Sequence, residues 1–183
     1  ELQNYIPRYY LDALNYREAP TGSEASLRKL YKRQLIGTYG AKKGHKVEDR
    51  IRQKLMNIEA AHGVNYAKGR SRIIETDIDF AVPDLEDPWV ILMSSFQETT
   101  SSGQSTKARD MLSAYERVLR NNSRYGEKRV FVNFVDGGGW LARQRDFQRL
   151  VQQCDYFINF HHLDMLEAIV LKHVPKRYFR GKQ

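Results

Sequence analysis

Asp77 and Asp79 stand two residues apart in a run that alternates apolar and acidic side chains, Ile74-Glu75-Thr76-Asp77-Ile78-Asp79-Phe80. In an extended strand that spacing puts both carboxylates on one side. Oxygen donors gathered on one side are what a hard divalent cation such as Mg2+ takes as ligands. The surroundings suit such an ion. From Ile73 to Thr106 there is no Lys or Arg, and seven acids (Glu75, Asp77, Asp79, Asp84, Glu86, Asp87, Glu98) give a charge of −7. Upstream, thirteen Lys and Arg between Arg28 and Arg72 face only Glu48, Asp49 and Glu59, a balance of +10, and from Lys107 onward the chain is basic again. An acidic island between basic flanks can hold a cation against a polyanion, with the flanks neutralising phosphates. Lys42, Lys43, Lys46, Arg50, Lys68, Arg70 and Arg72 are the candidate phosphate contacts from the flank. Ser102 and Gln104 join them from a polar loop preceding a helix, whose free amides and dipole favour an anion.

Elements must position these residues. Val47, Ile51, Leu55 and Ile58 recur at helical spacing, so a helix runs from about Lys46 to His62, with Gly63 as its stop. Ile73 to Val82 reads as a strand, Pro83 to Pro88 as a turn, and Trp89 to Met93 as a second, buried strand. Antiparallel pairing about that turn sets Asp77 and Asp79 across from Ser95 and Met93, with Ser95 and Gln97 on the same side. Asp84 lies in the turn and cannot join them. After the loop Thr99 to Thr106 comes a helix whose inner face is Ala108, Met111, Leu112, Tyr115, Val118 and Leu119. Arg129 to Val135 reads as a strand, Leu141 to Gln152 as a helix, Tyr156 to Phe160 as a strand and Leu163 to His173 as a last helix. Residues 1–45 read as mostly helical. The order implies an α/β layer fold in a single domain, with a helical N-terminal part over 1–45, a core over 46–174 and a basic tail over 175–183.

Composition narrows the classes. The chain has 183 residues, a formal charge of +8 and a single cysteine. Cys154 alone excludes a disulfide framework and a Cys-based zinc module, and it fits a reducing, cytoplasmic compartment as a small buried hydrophobe. No apolar run approaches a membrane span, so no membrane partner is expected. The five histidines show no metal-binding spacing, and His161 and His162 read as capping or surface groups. Gly137-Gly138-Gly139 lacks the phosphate-loop pattern and reads as a tight turn. Tyr9, Tyr10, Tyr31 and Tyr39, mixed with basic residues, suit either nucleic-acid contact or a core.

Four segments together resemble the PD-(D/E)xK restriction-endonuclease superfamily, closest to type II restriction enzymes of the DpnII/MboI type. They are Lys46-Val47-Glu48 opening a helix, Asp77-Ile78-Asp79-Phe80, Ser94-Ser95-Phe96-Gln97 running into Thr100 to Ala108, and Phe131 to Trp140. Asp155 to Asn159 resembles the next strand of those enzymes. The resemblance implies a restriction-endonuclease-like mixed β-sheet flanked by helices, Mg2+ as cofactor, double-stranded DNA as substrate, a homodimer for a palindromic target, and phosphodiester hydrolysis. It implies Asp79 as the metal-binding aspartate, with Asp77 beside it, and Glu48 as the helix glutamate near the metal. Ser95 and Gln97 fall at the positions of the second acid and the lysine. This sequence departs from the pattern there. Glu98, Asp110 and Glu48 are candidates for a displaced acid, and Lys107 for a displaced lysine. An alternative alignment sets Met93 and Ser95 at those two positions, which implies a degraded site and a non-cleaving DNA-binding module.

Overall fold

The computed structural model describes residues 47–98 and 103–180. The expected helical part over 1–45, Lys42, Lys43, Lys46, Ser102 and the four N-terminal tyrosines lie outside the described residues. We label the elements α1 (residues 47–62), β1 (Ala67–Ser71), β2 (Thr76–Val82), β3 (Val90–Phe96), α2 (Gly103–Tyr125), β4 (Val130–Asp136), α3 (Gln144–Gln152), β5 (Tyr156–Ile158) and α4 (Met165–His173). A 3-10 helix, Gly138–Arg143, precedes α3. The five strands form one mixed sheet in the order β1-β2-β3-β4-β5. β1, β2 and β3 pair antiparallel, whereas β3, β4 and β5 run parallel. Parallel neighbours need crossover connections, and α2 and α3 supply them.

Strand alternation divides the core into two faces. Phe80, Val82, Leu92, Val132, Phe134 and Ile158 meet Ile51, Leu55 and Ile58 of α1 and Leu166, Ile169 and Val170 of α4. Ile78, Ala81, Ile91, Met93, Phe131 and Val135 meet Ala108, Met111, Leu112 and Val118 of α2, and Leu150 of α3. Both faces of the sheet are therefore covered, as the parallel half requires. Among the described residues, no helix is long and apolar enough to cross a membrane.

The sequence reading places the central strands and helices and misses others. β1 was not expected: Ala67-Lys68-Gly69-Arg70-Ser71 has one buried residue in five, too little apolar signal for an edge strand. The first long strand begins at Thr76 rather than Ile73, because Arg72 to Glu75 form the turn out of β1. α2 starts at Gly103, inside the expected loop, and Leu119 is 45% exposed instead of facing the core. Leu141 to Arg143 belong to the 3-10 turn rather than to a helix. Cys154 is only half-buried, and burial pushes its thiol up to about 11.

β2 carries an irregularity that alternation alone does not reveal. Its register against β1 moves from Ala67↔Ala81 to Gly69↔Ile78, so three steps along β2 match two along β1. One extra residue on one strand is a β-bulge. It leaves Ile78 and Ala81 on the α2 face although they are three residues apart, and Asp79 sits inside the irregular step.

A charged knot fastens the far end of the sheet. Arg129 is 3% exposed and donates to Asp87 Oδ1 at 2.7 Å, to Glu127 at 2.7 Å and to the Pro88 carbonyl. Asp87 Oδ2 also accepts from Trp89 Nε1 at 3.0 Å and from the Tyr178 hydroxyl. Burial pushes the Asp87 carboxyl up, but the donors Tyr178, Trp89 and Arg129 together outweigh it and hold it at about 2, below the ordinary 3.8. A carboxyl depressed on folding contributes stability that is complete above its unfolded pKa and is lost as pH falls through the folded one. Asp87→Asn is expected to flatten the fall in urea midpoint between pH 4 and pH 2. An equal fall in both proteins would remove Asp87 as its source.

Candidate active site

The bulge in β2 decides where the Asp79 carboxylate goes. The β2–β3 ladder runs only from Val82↔Val90 to Phe80↔Leu92, and beyond Phe80 the carboxylate replaces the missing backbone bond. Asp79 Oδ2 accepts from the Ser94 amide at 2.6 Å and from Ser94 Oγ at 3.1 Å. Lys107 Nζ, in the first turns of α2, lies 3.6 Å from the same oxygen. Asp79 is 17% exposed and Lys107 33%, so the pair is open to a ligand at one side. Lys107, expected from sequence as a displaced cation, does reach the carboxylate. Ser94 was not singled out. Simple alternation assigns it to the face opposite Asp79, and only the bulge brings the two together.

The partners expected across the hairpin are arranged differently. Ser95 is 5% exposed on the α2 side of β3, and its Oγ has no partner among the described residues. Met93, the alternative acid position, is 5% exposed and packed in the core beneath α2. Gln97 follows β3 and is held by its backbone: its N–H donates to the Asp136 carbonyl at 3.0 Å, and its carbonyl accepts from Gly139 at 2.8 Å. The turn after β4 is built around that contact. Gly137 has φ of 101°, and a Cβ there would lie 2.2 Å from the Gln97 oxygen. The glycine run is therefore the tight turn expected, and it holds the end of β3. Asp136 completes it, accepting from the Gly137 amide at 2.6 Å and the Phe160 amide at 2.9 Å.

Glu48, Asp77 and Asp79 do not gather as the sequence reading expects. Among the described residues, no three His, Cys, Asp or Glu side chains form a metal-binding group. Glu48, in the first turn of α1, pairs with Lys68 of β1. Asp77 is exposed and sits opposite Arg70. Asp110 is exposed on α2 and Glu98 is exposed after β3.

Comparison with protein-family models, with curated proteins and with solved structures returned no match.

The candidate phosphate contacts also separate. Gln104 is 0% exposed, so it cannot touch DNA; it lies on the buried side of the first turn of α2 instead. Ser105, in the same turn, donates to Asp146 of α3 at 2.8 Å and so ties two helices together. Arg50 is exposed on α1 and lies over the Phe160 ring at 5.1 Å. Arg70 is exposed on β1, and Arg72 faces a separate cleft. His161 and His162 are exposed, and Asn159 rather than either histidine caps their 3-10 turn.

A carboxylate pinned through one oxygen by a main-chain N–H has a fixed direction for the other oxygen. With an ammonium beside it, the pair can accept a phosphate against Lys107 while Asp79 faces a cation. Mg2+ keeps several waters and is commonly bound through one or two carboxylates plus substrate phosphates. The donor set among the described residues fits that minimum and no more: Asp79 supplies one carboxylate, and no second acid of theirs joins it.

Proposed function

We propose that the chain is a Mg2+-dependent endonuclease of the type II restriction kind, acting on double-stranded DNA as a homodimer. The observation that carries this reading is the Asp79–Lys107 pair at the point where β2 and β3 part. The five-stranded mixed sheet flanked by helices is compatible with a restriction-endonuclease-like core. Asp79 would hold the metal, with Ser94 fixing the carboxylate. Lys107 would contact the scissile phosphate, and the Gln97 carboxamide would orient the attacking water. Mg2+, when bound, supplies positive charge to the phosphoryl oxygens as they gain negative charge. Arg50, Lys68 and Arg70 would neutralise backbone phosphates, so affinity would fall steeply with salt.

A single carboxylate neutralised by a lysine is a poor Mg2+ site until a phosphate adds its oxygens. Calorimetry with Mg2+ alone is expected to show no binding, whereas supercoiled plasmid with Mg2+ is expected to be converted to nicked and linear forms. Plasmid left intact at all Mg2+ concentrations would overturn the reading. One observation favours a second: the positions of the missing acid, Ser95 and Met93, are both buried. A DNA-binding module that does not cut accounts for that, and it predicts salt-dependent DNA affinity indifferent to Mg2+.

A further inference from the structure

Away from Asp79, a cleft of about 740 Å³ opens between the β1–β2 turn and the C-terminal half of α2. Its walls carry five arginines against two acids, Glu75 and Glu127. Two of the arginines are committed to the fold. Arg129 is fully engaged by Asp87 and Glu127. Arg117 donates to the Glu75 carbonyl at 2.6 Å and lies 3.8 Å from its carboxylate. The other three are exposed: Arg72 on the turn, and Arg120 and Arg124 on α2. Among the described residues Arg72 and Arg120 have no ion-pair or hydrogen-bond partner, and Arg124 touches only the Tyr125 ring, at 5.4 Å. Tyr125 is 60% exposed at the same rim.

We propose that this cleft binds single-stranded DNA. Three guanidinium groups without an ion-pair partner among the described residues surround one concavity and match a phosphodiester backbone in charge, and Arg120 and Arg124 are a helical turn apart on one side of α2. The concavity and the exposed ring argue for a strand rather than a duplex. The bases of a duplex are already paired and stacked inside it, whereas an unpaired base can stack on tyrosine while its phosphates meet arginine. Lys107 and Arg124 are seventeen residues apart on α2, roughly 25 Å of helix, so the cleft is a second site, and its occupancy does not rest on cleavage at Asp79.

The test is fluorescence anisotropy with a labelled twelve-residue oligodeoxythymidylate across a salt series. Arg120→Ala combined with Arg124→Ala is expected to weaken binding tenfold or more and to reduce the salt slope by about 1.4, from roughly 0.7 per lost phosphate contact on a single strand. Tyr125→Ala is expected to weaken binding about fivefold or more with the slope unchanged, and Tyr125→Trp to restore it. All three positions are exposed, and circular dichroism checks that the variants fold. Wild-type affinity in the arginine variant, or a wild-type protein that leaves the oligomer unbound, overturns the proposal. A protein that never cuts plasmid yet binds the oligomer through these residues upholds it and removes only the nuclease reading.

Discussion

Replacing Asp79 with alanine is expected to lower plasmid cleavage by at least about a hundredfold, the scale of losing a preorganised electrostatic contact in a reaction centre. Asp79 is the carboxylate at which the strands part, and no second acid joins it among the described residues to take over. Lys107→Ala is expected to cost less, about tenfold to a hundredfold, because the phosphate retains its other basic contacts. The double variant is expected to fall little below Asp79→Ala, since the two side chains act as one unit at 3.6 Å. Asp79→Asn separates charge from shape: it can still accept from the Ser94 amide, so a loss like that of alanine assigns the effect to the negative charge. The readout is the rate of nicking at saturating Mg2+, with DNA affinity measured alongside. Removing a negative charge leaves affinity equal or higher, so the loss belongs to the chemical step. Cleavage by Asp79→Ala at the parental rate would sink the site assignment.

Gly137→Ala is expected to destabilise the fold by roughly 3 kcal/mol or more, from two independent costs. At φ of 101° an L side chain is strained, and the new Cβ would meet the Gln97 carbonyl at 2.2 Å. The obstacle is backbone, so it cannot swing aside as a flexible side chain would. Relief requires β3 and β4 to separate at Gln97, which breaks the bonds from Gln97 to Asp136 and from Gly139 to Gln97. A urea titration measures the loss, and an unchanged midpoint would mean that the turn relaxes freely. Gly138→Ala is the control: its nearest neighbour is the Glu98 carbonyl oxygen at 3.9 Å, an ordinary contact.

How much of this was legible in the sequence follows from where side-chain periodicity is strong. α1 is read correctly because Val47, Ile51, Leu55 and Ile58 all face one sheet. β4 is read correctly because Val130 to Val135 is buried on both faces, an apolar run interrupted only by Asn133. β1 is lost because an edge strand with Lys68 and Arg70 pointing outward carries almost no apolar signal. In the candidate site, Asp79 is legible from the acidic strand and Lys107 from its place at the start of the next helix as a displaced lysine, whereas the Ser94 contact is not. Alternation counts residues in twos, and the bulge adds one. Gln104 was misassigned for a related reason: its type says solvent, but α2 begins earlier than its polar residues suggest and draws it inside.

The extra residue in β2 has an evolutionary corollary. Ile78 and Ala81 face α2 while Phe80 and Val82 face α1. Excising position 79 would therefore leave perfect odd–even parity, with every core side chain still on its own flank. The proposed reaction centre would thus be encoded in chain length as much as in residue identity. A lineage could silence it by a one-codon deletion that the scaffold hardly notices, and could regain it by an insertion of the same size.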